Sequence, residues 1–313
     1  MAAERILEGK RVLVTGGTGF IGGRLVERLV LEQKAQVRVL VRNFSSASRI
    51  GRFDVEMIRG GIDDAEAVDR AMEGCDIVFH LAFDFAPPAE MVRRNVEGTH
   101  NVMIAALKHN TRLVHISTID VYGWPEAGDL DETAPRQAGD DNIYGQSKLA
   151  VEQAVVEFHQ KWSLPVVILQ PTIVYGPYCR PWTMGIAQKL KGDKPVALID
   201  DGRAACNAVY VDDVVNAMLL AGIKDDAIGE TFLISATEPI TWRVFYDKFE
   251  AITGTKNTVS VPSEEPAPPP PASAPATPAT PAVSPAPQRP QLTGDIPFYT
   301  RWMLEKRVLI RIR

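Results

Sequence analysis

Cysteine is scarce in this chain: three in 313 residues, Cys75, Cys179 and Cys206. They are too few and too scattered for a disulfide framework or a metal cluster, so no metal site is expected. Nor is there an excess of positive charge, since 34 Lys and Arg stand against 39 Asp and Glu for a net charge of -5, which gives no reason to expect a nucleic-acid partner. No apolar run reaches the ~20 residues that a bilayer-spanning helix needs. Nothing near Met1 reads as a secretory signal, and a reducing cytoplasm is the expected compartment. What the chain has in quantity is hydrophobic residues, 45% with 23% charged, enough for one large two-lobed domain with a sizeable core.

Thr15-Gly16-Gly17-Thr18-Gly19-Phe20-Ile21-Gly22 directly follows the apolar run Arg11-Val12-Leu13-Val14 and opens an amphipathic run from Arg24 to Leu31. A glycine-rich turn between strand and helix suits a pyrophosphate. Gly16 permits the tight turn, Gly19 lets a dinucleotide approach the backbone, and Gly22 lets helix and strand pack closely. Further on, Tyr144-Gly145-Gln146-Ser147-Lys148 sets a phenol and an ammonium four residues apart, on one face of a helix. That is the layout of an acid/base pair. A free tyrosine titrates near pH ~10, and a neighbouring ammonium is expected to favour its phenolate and bring it toward the working range.

With Ser117-Thr118-Ile119-Asp120-Val121-Tyr122-Gly123 between these two motifs, the order resembles the extended short-chain dehydrogenase/reductase (NAD-dependent epimerase/dehydratase) family. Matching pieces are His80-Leu81-Ala82, Asn95-Val96-Glu97-Gly98-Thr99, Pro171 to Pro177 and Val209-Tyr210-Val211-Asp212-Asp213, so the resemblance covers about residues 10–248. Strand-like runs at 11–15, 37–42, 55–58, 76–81, 112–117 and 166–170 alternate with helical patterns near 20–33, 64–73, 88–109 and 142–162. This alternation predicts an α/β, Rossmann-type doubly wound parallel sheet. Beyond Gly176 the pattern loosens, with helices expected near 212–222 and 241–252, where the family builds its smaller C-terminal substrate lobe.

By resemblance, Thr118 supplies the hydroxyl that bonds the reacting oxygen beside Tyr144, and Thr118, Tyr144 and Lys148 form the catalytic set. Tyr144 would move the proton while a nicotinamide cofactor moves the hydride. The resemblance gives a cofactor set of Gly16, Gly19, Phe20, Ile21, Gly22, Arg42, Ile62, Asp63, Leu81, Ala82, Tyr144, Lys148 and Pro171. Two positions beside it depart from the family. Val41 stands where NAD-selective relatives place a carboxylate, and Arg42 follows it, a guanidinium able to pair with the 2′-phosphate of NADP, which favours NADP over NAD. Gly61 stands where the family usually has an aspartate for the adenine amine, leaving backbone contacts or Asp63 to substitute.

The substrate positions are Asn95, Asp120, Arg180 and Arg203. Asn95 matches a family position near the active site, with a helix cap or backbone clamp as the other reading. Asp120 matches acids that assist elimination in sugar-nucleotide enzymes, but Ile119 leaves that pair incomplete, and a solvated loop carboxylate is the preferred reading. The arginine that such enzymes aim at the sugar-nucleotide pyrophosphate appears here as Cys206, leaving Arg203 or Arg180 as candidates.

The expected organisation is a NAD(P)-binding domain over 1–177, an incomplete substrate lobe over 178–260, a Pro/Ala-rich disordered linker over 261–292 and a basic, aromatic tail over 293–313. The tail reads either as an element docking on the body or truncated, or as an interfacial helix in weak contact with a membrane surface. The resemblance also implies a homodimer through a four-helix bundle made from helices near 88–109 and 142–162. Three functions follow: an epimerase or dehydratase on a nucleotide sugar, an NADPH-dependent reductase of a smaller or lipophilic ketone or alcohol, and a dinucleotide-binding protein without turnover. The first is preferred on overall motif similarity.

Overall fold

The computed structural model describes residues 5–123 and 130–263. The linker and tail expected over 261–313 therefore lie outside the described residues, except 261–263. The first half of the chain alternates strand and helix: β1 (Arg11–Thr15), α1 (Phe20–Leu31), β2 (Gln36–Val41), β3 (Val55–Arg59), α2 (Ala65–Met72), β4 (Ile77–His80), α3 (Pro88–Lys108), β5 (Arg112–Ile116), α4 (Ile143–Trp162) and β6 (Val166–Pro171). There follow β7 (Ile173–Tyr175), α5 (Gly185–Leu190), β8 (Val196–Ile199), β9 (Ala205–Cys206), β10 (Ala208–Tyr210), α6 (Val211–Ile223), β11 (Thr231–Ile234), β12 (Ile240–Thr241), α7 (Trp242–Thr253) and β13 (Thr258–Val261).

Seven parallel strands form the main sheet in the order β11-β6-β5-β4-β1-β2-β3. Its central strands read as continuous apolar runs because helices cover both faces. In β1 the period of two divides the core: Val12 and Val14 join the cluster around α1 and α6, while Leu13 joins the one around α2, α3 and α4. The chain runs from β1 outward to β3 and then returns to place β4 on the other side of β1. The strand order reverses at this point, and the crevice beyond the carboxyl ends of β1 and β4 is where such sheets take ligands.

Short strands build the second lobe. β7 pairs with β10, β8 with β13, and β9 antiparallel with β12, around a small core of Ile186, Leu190, Cys206, Ala208, Phe245 and Phe249. The sequence reading assigned 178–260 to this lobe, but β11 leaves it to become the outer strand of the main sheet against β6, and α6 packs on α1. β7 lies before residue 177 yet pairs into the lobe. The two lobes thus interleave in sequence. Asp212 at the start of α6 fastens that helix to α1, its carboxylate taking both Nε and Nη2 of Arg24 at 2.6 and 3.0 Å. The Asp212 motif therefore braces the helix whose N-terminus faces the crevice.

Candidate active site

A cleft of about 1110 Å³ opens at the crevice, lined by the glycine turn, the ends of β2 and β3, the loop after β4 and one side of α3. Gly16 turns with φ +73, and a Cβ there would come within 2.7 Å of the Ala82 nitrogen. A side chain at Gly22 would collide with the Gly16 carbonyl. α1 has no side-chain cap, so its first amides and the positive end of its dipole are left to an anion. Thr15 secures the adjoining wall: its hydroxyl meets His80 Nδ1 at 2.7 Å and accepts from the Ala82 N–H at 3.3 Å. His80 also meets Thr99 at 3.0 Å, and burial pushes its imidazole down to about 3, so it serves here as a neutral brace. The cradle that only glycine leaves open, the uncapped helix and the size of the cleft fit a dinucleotide.

Gly16, Gly19, Arg42, Ile62, Asp63, Leu81 and Ala82 all line this cleft. The Asp63 carboxylate folds back to where a Cβ at Gly61 would stand, so a side chain there would have to push it aside. Phe20, Ile21 and Gly22 form the first turn of α1 and are not lining residues. Pro171 does not line the cleft either. It ends β6, buried and in register with Ile234 of β11.

Thr118, Tyr144 and Lys148 converge next to the cleft. Thr118 caps a 3-10 turn over Ile119–Tyr122, accepting from the Asp120 N–H at 3.3 Å, and its hydroxyl hydrogen-bonds Tyr144. Asn142 caps α4 by accepting from Gly145 N–H at 2.9 Å, which sets the face on which Tyr144 and Lys148 follow each other. The sequence led us to expect a phenol pulled down by Lys148. Instead, burial and the Asp120 carboxylate push Tyr144 up to about 12, against the pull of Thr118. The Lys148 ammonium is engaged elsewhere, donating to the Ile116 carbonyl at 2.8 Å and lying 4.9 Å from the centre of the Phe83 ring. It is 5% exposed, and burial lowers it to about 8.

Two substrate expectations change. Asn95 is 1% exposed and wholly engaged with backbone: it accepts from Asp84 N–H at 2.8 Å and donates to the carbonyls of Asp84 and Met91 at 2.9 and 2.8 Å. It clamps the loop after β4 and has no free face for a substrate. Asp120 is not a solvated carboxylate. It is half-buried, hydrogen-bonded by Asn142, and burial raises it above the usual carboxylate range. Arg180 and Arg203 are exposed and do not line the cleft.

The sequence reading stopped at Ala82 and missed the next three residues. Phe83 and Phe85 pack at 5.1 and 6.1 Å from the Tyr144 ring, the first edge-on and the second parallel, while Asp84 between them turns toward two arginines. Two aromatics directly after a His-Leu-Ala motif were the available signal.

Comparison with known proteins places the chain. It is 31% identical to dTDP-D-glucose 4,6-dehydratase of Homo sapiens over 72% of this chain and 69% of that protein. It is 29% identical to 4-hydroxy-2-methyl-3-oxo-4-farnesyl-3,4-dihydroquinoline-1-oxide ketoreductase of Stigmatella aurantiaca, over 80% of this chain and 75% of that one. The solved structure of UDP-glucuronic acid 4-epimerase from Bacillus cereus in complex with NAD superposes with a TM-score of 0.71 at 25% identity, covering 80% of this chain and 86% of that one. The family model for the NAD dependent epimerase/dehydratase family matches residues 12–235. The chain is an enzyme of the NAD dependent epimerase/dehydratase family.

Proposed function

We propose that this enzyme acts by hydride transfer at a carbinol or carbonyl carbon of a nucleotide sugar, with Thr118, Tyr144 and Lys148 as the catalytic set. The observation that carries the chemistry is the hydrogen-bonded Thr118–Tyr144 pair beside a dinucleotide cleft. Thr118 holds the reacting oxygen, and Tyr144, protonated at neutral pH, gives or takes the proton at that oxygen. Lys148 brings a buried positive charge next to the site and can hydrogen-bond ribose hydroxyls. A bound nicotinamide dinucleotide supplies the hydride chemistry. The nucleotide-sugar class rests on relatives such as the dTDP-D-glucose 4,6-dehydratase.

NADP is the proposed form of the cofactor, because Arg42 lines the cleft beyond the end of β2 with its side chain 72% exposed. Phe83 and Phe85 favour a second reading, reduction of a lipophilic ketone, and the quinoline-oxide ketoreductase is a relative of that kind. We also propose a homodimer through the outer faces of α3 and α4, where Ile104, Leu107 and Trp162 are exposed around a groove. Sedimentation of the purified chain as a monomer at micromolar concentration would refute that assembly.

To test the function, the purified chain is denatured, the released dinucleotide identified, and turnover of dTDP-glucose and UDP-glucuronic acid assayed. Retained cofactor near one per chain with conversion of a nucleotide sugar is the expected result. An empty protein that oxidises NADPH only with an apolar ketone would replace the first reading by the second.

A further inference from the structure

The backbone of Asp84 is clamped by the Asn95 amide at both its N–H and its carbonyl, so its carboxylate has a set place on the cleft wall. Two guanidinium groups from different elements meet there. Arg94 of α3 reaches Oδ2 at 2.8 Å, and Arg42 approaches Oδ1 at 3.9 Å. All three residues line the cleft. Arg94 also pairs with Glu90 at 3.6 Å, and Arg93 beside it is held by Glu97 at 2.6 Å and Glu90 at 3.9 Å. One carboxylate thus draws together two cations that would otherwise stand apart in the mouth of the cleft.

Such partly exposed ion pairs contribute little net stability, so a stronger anion displaces the carboxylate at little cost. A phosphomonoester is that stronger anion: near pH 7 it carries a charge of about -1.5 to -2 and three acceptor oxygens. Guanidinium forks match phosphate geometry, and two of them give more than a single one can.

We propose that Asp84 is an internal stand-in for the 2′-phosphate of NADP, and that Arg94 is a second phosphate ligand beside Arg42. With no phosphate present, the carboxylate keeps both guanidinium groups in place. A phosphomonoester on the adenosine ribose takes them over, whereas an unphosphorylated ribose brings no anion and leaves the trio as it is. Cofactor choice then lies in whether this exchange occurs, not in Arg42 alone. The proposal rests on the NADP reading above and adds Asp84 and Arg94 to it.

Fluorescence titrations of the full chain, first freed of any retained dinucleotide, with NADPH and with NADH test it without any substrate. Arg94→Met should weaken NADPH binding about tenfold and change NADH binding by less than about twofold. Asp84→Asn should tighten NADPH by about threefold, since the competing charge is gone while the Asn95 clamp on the backbone remains, and should leave NADH unchanged. Equal losses of both dinucleotides in Arg94→Met, or weaker NADPH binding in Asp84→Asn, would overturn the proposal. Melting curves of each variant identify general unfolding, and Arg94→Lys, which keeps the charge but not the fork, should recover part of the loss. A wild-type chain that binds NADH as tightly as NADPH sinks the NADP reading itself. A wild-type preference for NADPH that is lost in Arg42→Met but kept in Arg94→Met sinks only the part argued here.

Discussion

The two ends of this cleft are built by opposite means. At the end proposed for adenosine the charges stand in water, with Arg42 72% and Arg94 39% exposed, where ion pairs contribute little. At the reacting end Thr118 is 8% and Lys148 5% exposed, and burial moves the protons, with Tyr144 up to about 12 and Lys148 down to about 8. One end can therefore select a ligand by charge at little cost in stability. The other carries a standing destabilisation in order to hold its chemistry. Substitutions of the buried groups at the reacting end should then change turnover and stability together, while those at the end proposed for adenosine should change binding alone.

The largest effect is expected at Tyr144. Tyr144→Phe removes the proton that Thr118 orients and should lower turnover by ~10³-fold on any substrate the wild type accepts. Cofactor affinity, read by fluorescence titration, should stay within about twofold, because the ring and its packing on Phe83 and Phe85 are kept. Turnover at the wild-type rate in this variant would remove Tyr144 from the mechanism.

Lys148→Met comes next, and its sign differs between two readouts. Cofactor binding should weaken by about tenfold with the loss of a charged donor. Stability should change the other way. The unfolded chain holds the lysine proton up to about 10.5, the folded chain only up to about 8. Below pH 8 both states are protonated and the folded state bears the full cost of the buried charge. As pH rises from 8 to 10.5 the unfolded state binds more protons, so that cost is relieved. The variant should therefore be more stable than wild type at pH 7, by on the order of 1–3 kcal/mol after the Ile116 carbonyl loses its donor, and the gap should close by pH 10.5. Chemical denaturation at the two pH values checks it, and a variant less stable at pH 7 would show that Lys148 holds the fold.

How much of this was legible in the sequence follows the same division. The glycine turn, the alternating elements and the Tyr144–Lys148 spacing were readable, because each is a local period or a backbone requirement. β9 and β12 were not, since strands of two residues such as Ala205–Cys206 and Ile240–Thr241 carry no period. Nor was the return of β11 to the main sheet, a pairing of residues 231–234 with 168–171 that only the assembled fold decides. At the site, residue types were legible and their surroundings were not. Spacing brings Lys148 close to Tyr144, but it does not tell that the ammonium bonds the Ile116 carbonyl, or that burial outweighs charge at the phenol. Asn95 read equally as substrate ligand or backbone clamp until its three hydrogen bonds were placed.

The smallest effect on stability, and the sharpest on the contrast between the two ends, is expected at Phe85. Its side chain is largely exposed, 77% for the residue, yet its ring lies parallel to Tyr144 at 6.1 Å. Little apolar area leaves water in the fold, so Phe85→Ala should shift Tm by no more than about 2 °C. Water should reach the phenol more easily, and Tyr144 should fall from about 12 toward its ordinary 10, visible in a spectrophotometric titration. Substrate choice should move with it. An apolar ketone that depends on this ring should lose about three- to tenfold in kcat/KM, whereas a nucleotide sugar, which gains room and water, should lose nothing. Loss on the nucleotide sugar alone would mean that Phe85 stacks on a sugar ring, and the aromatic pair would then belong to the nucleotide-sugar reading, not to the lipophilic one.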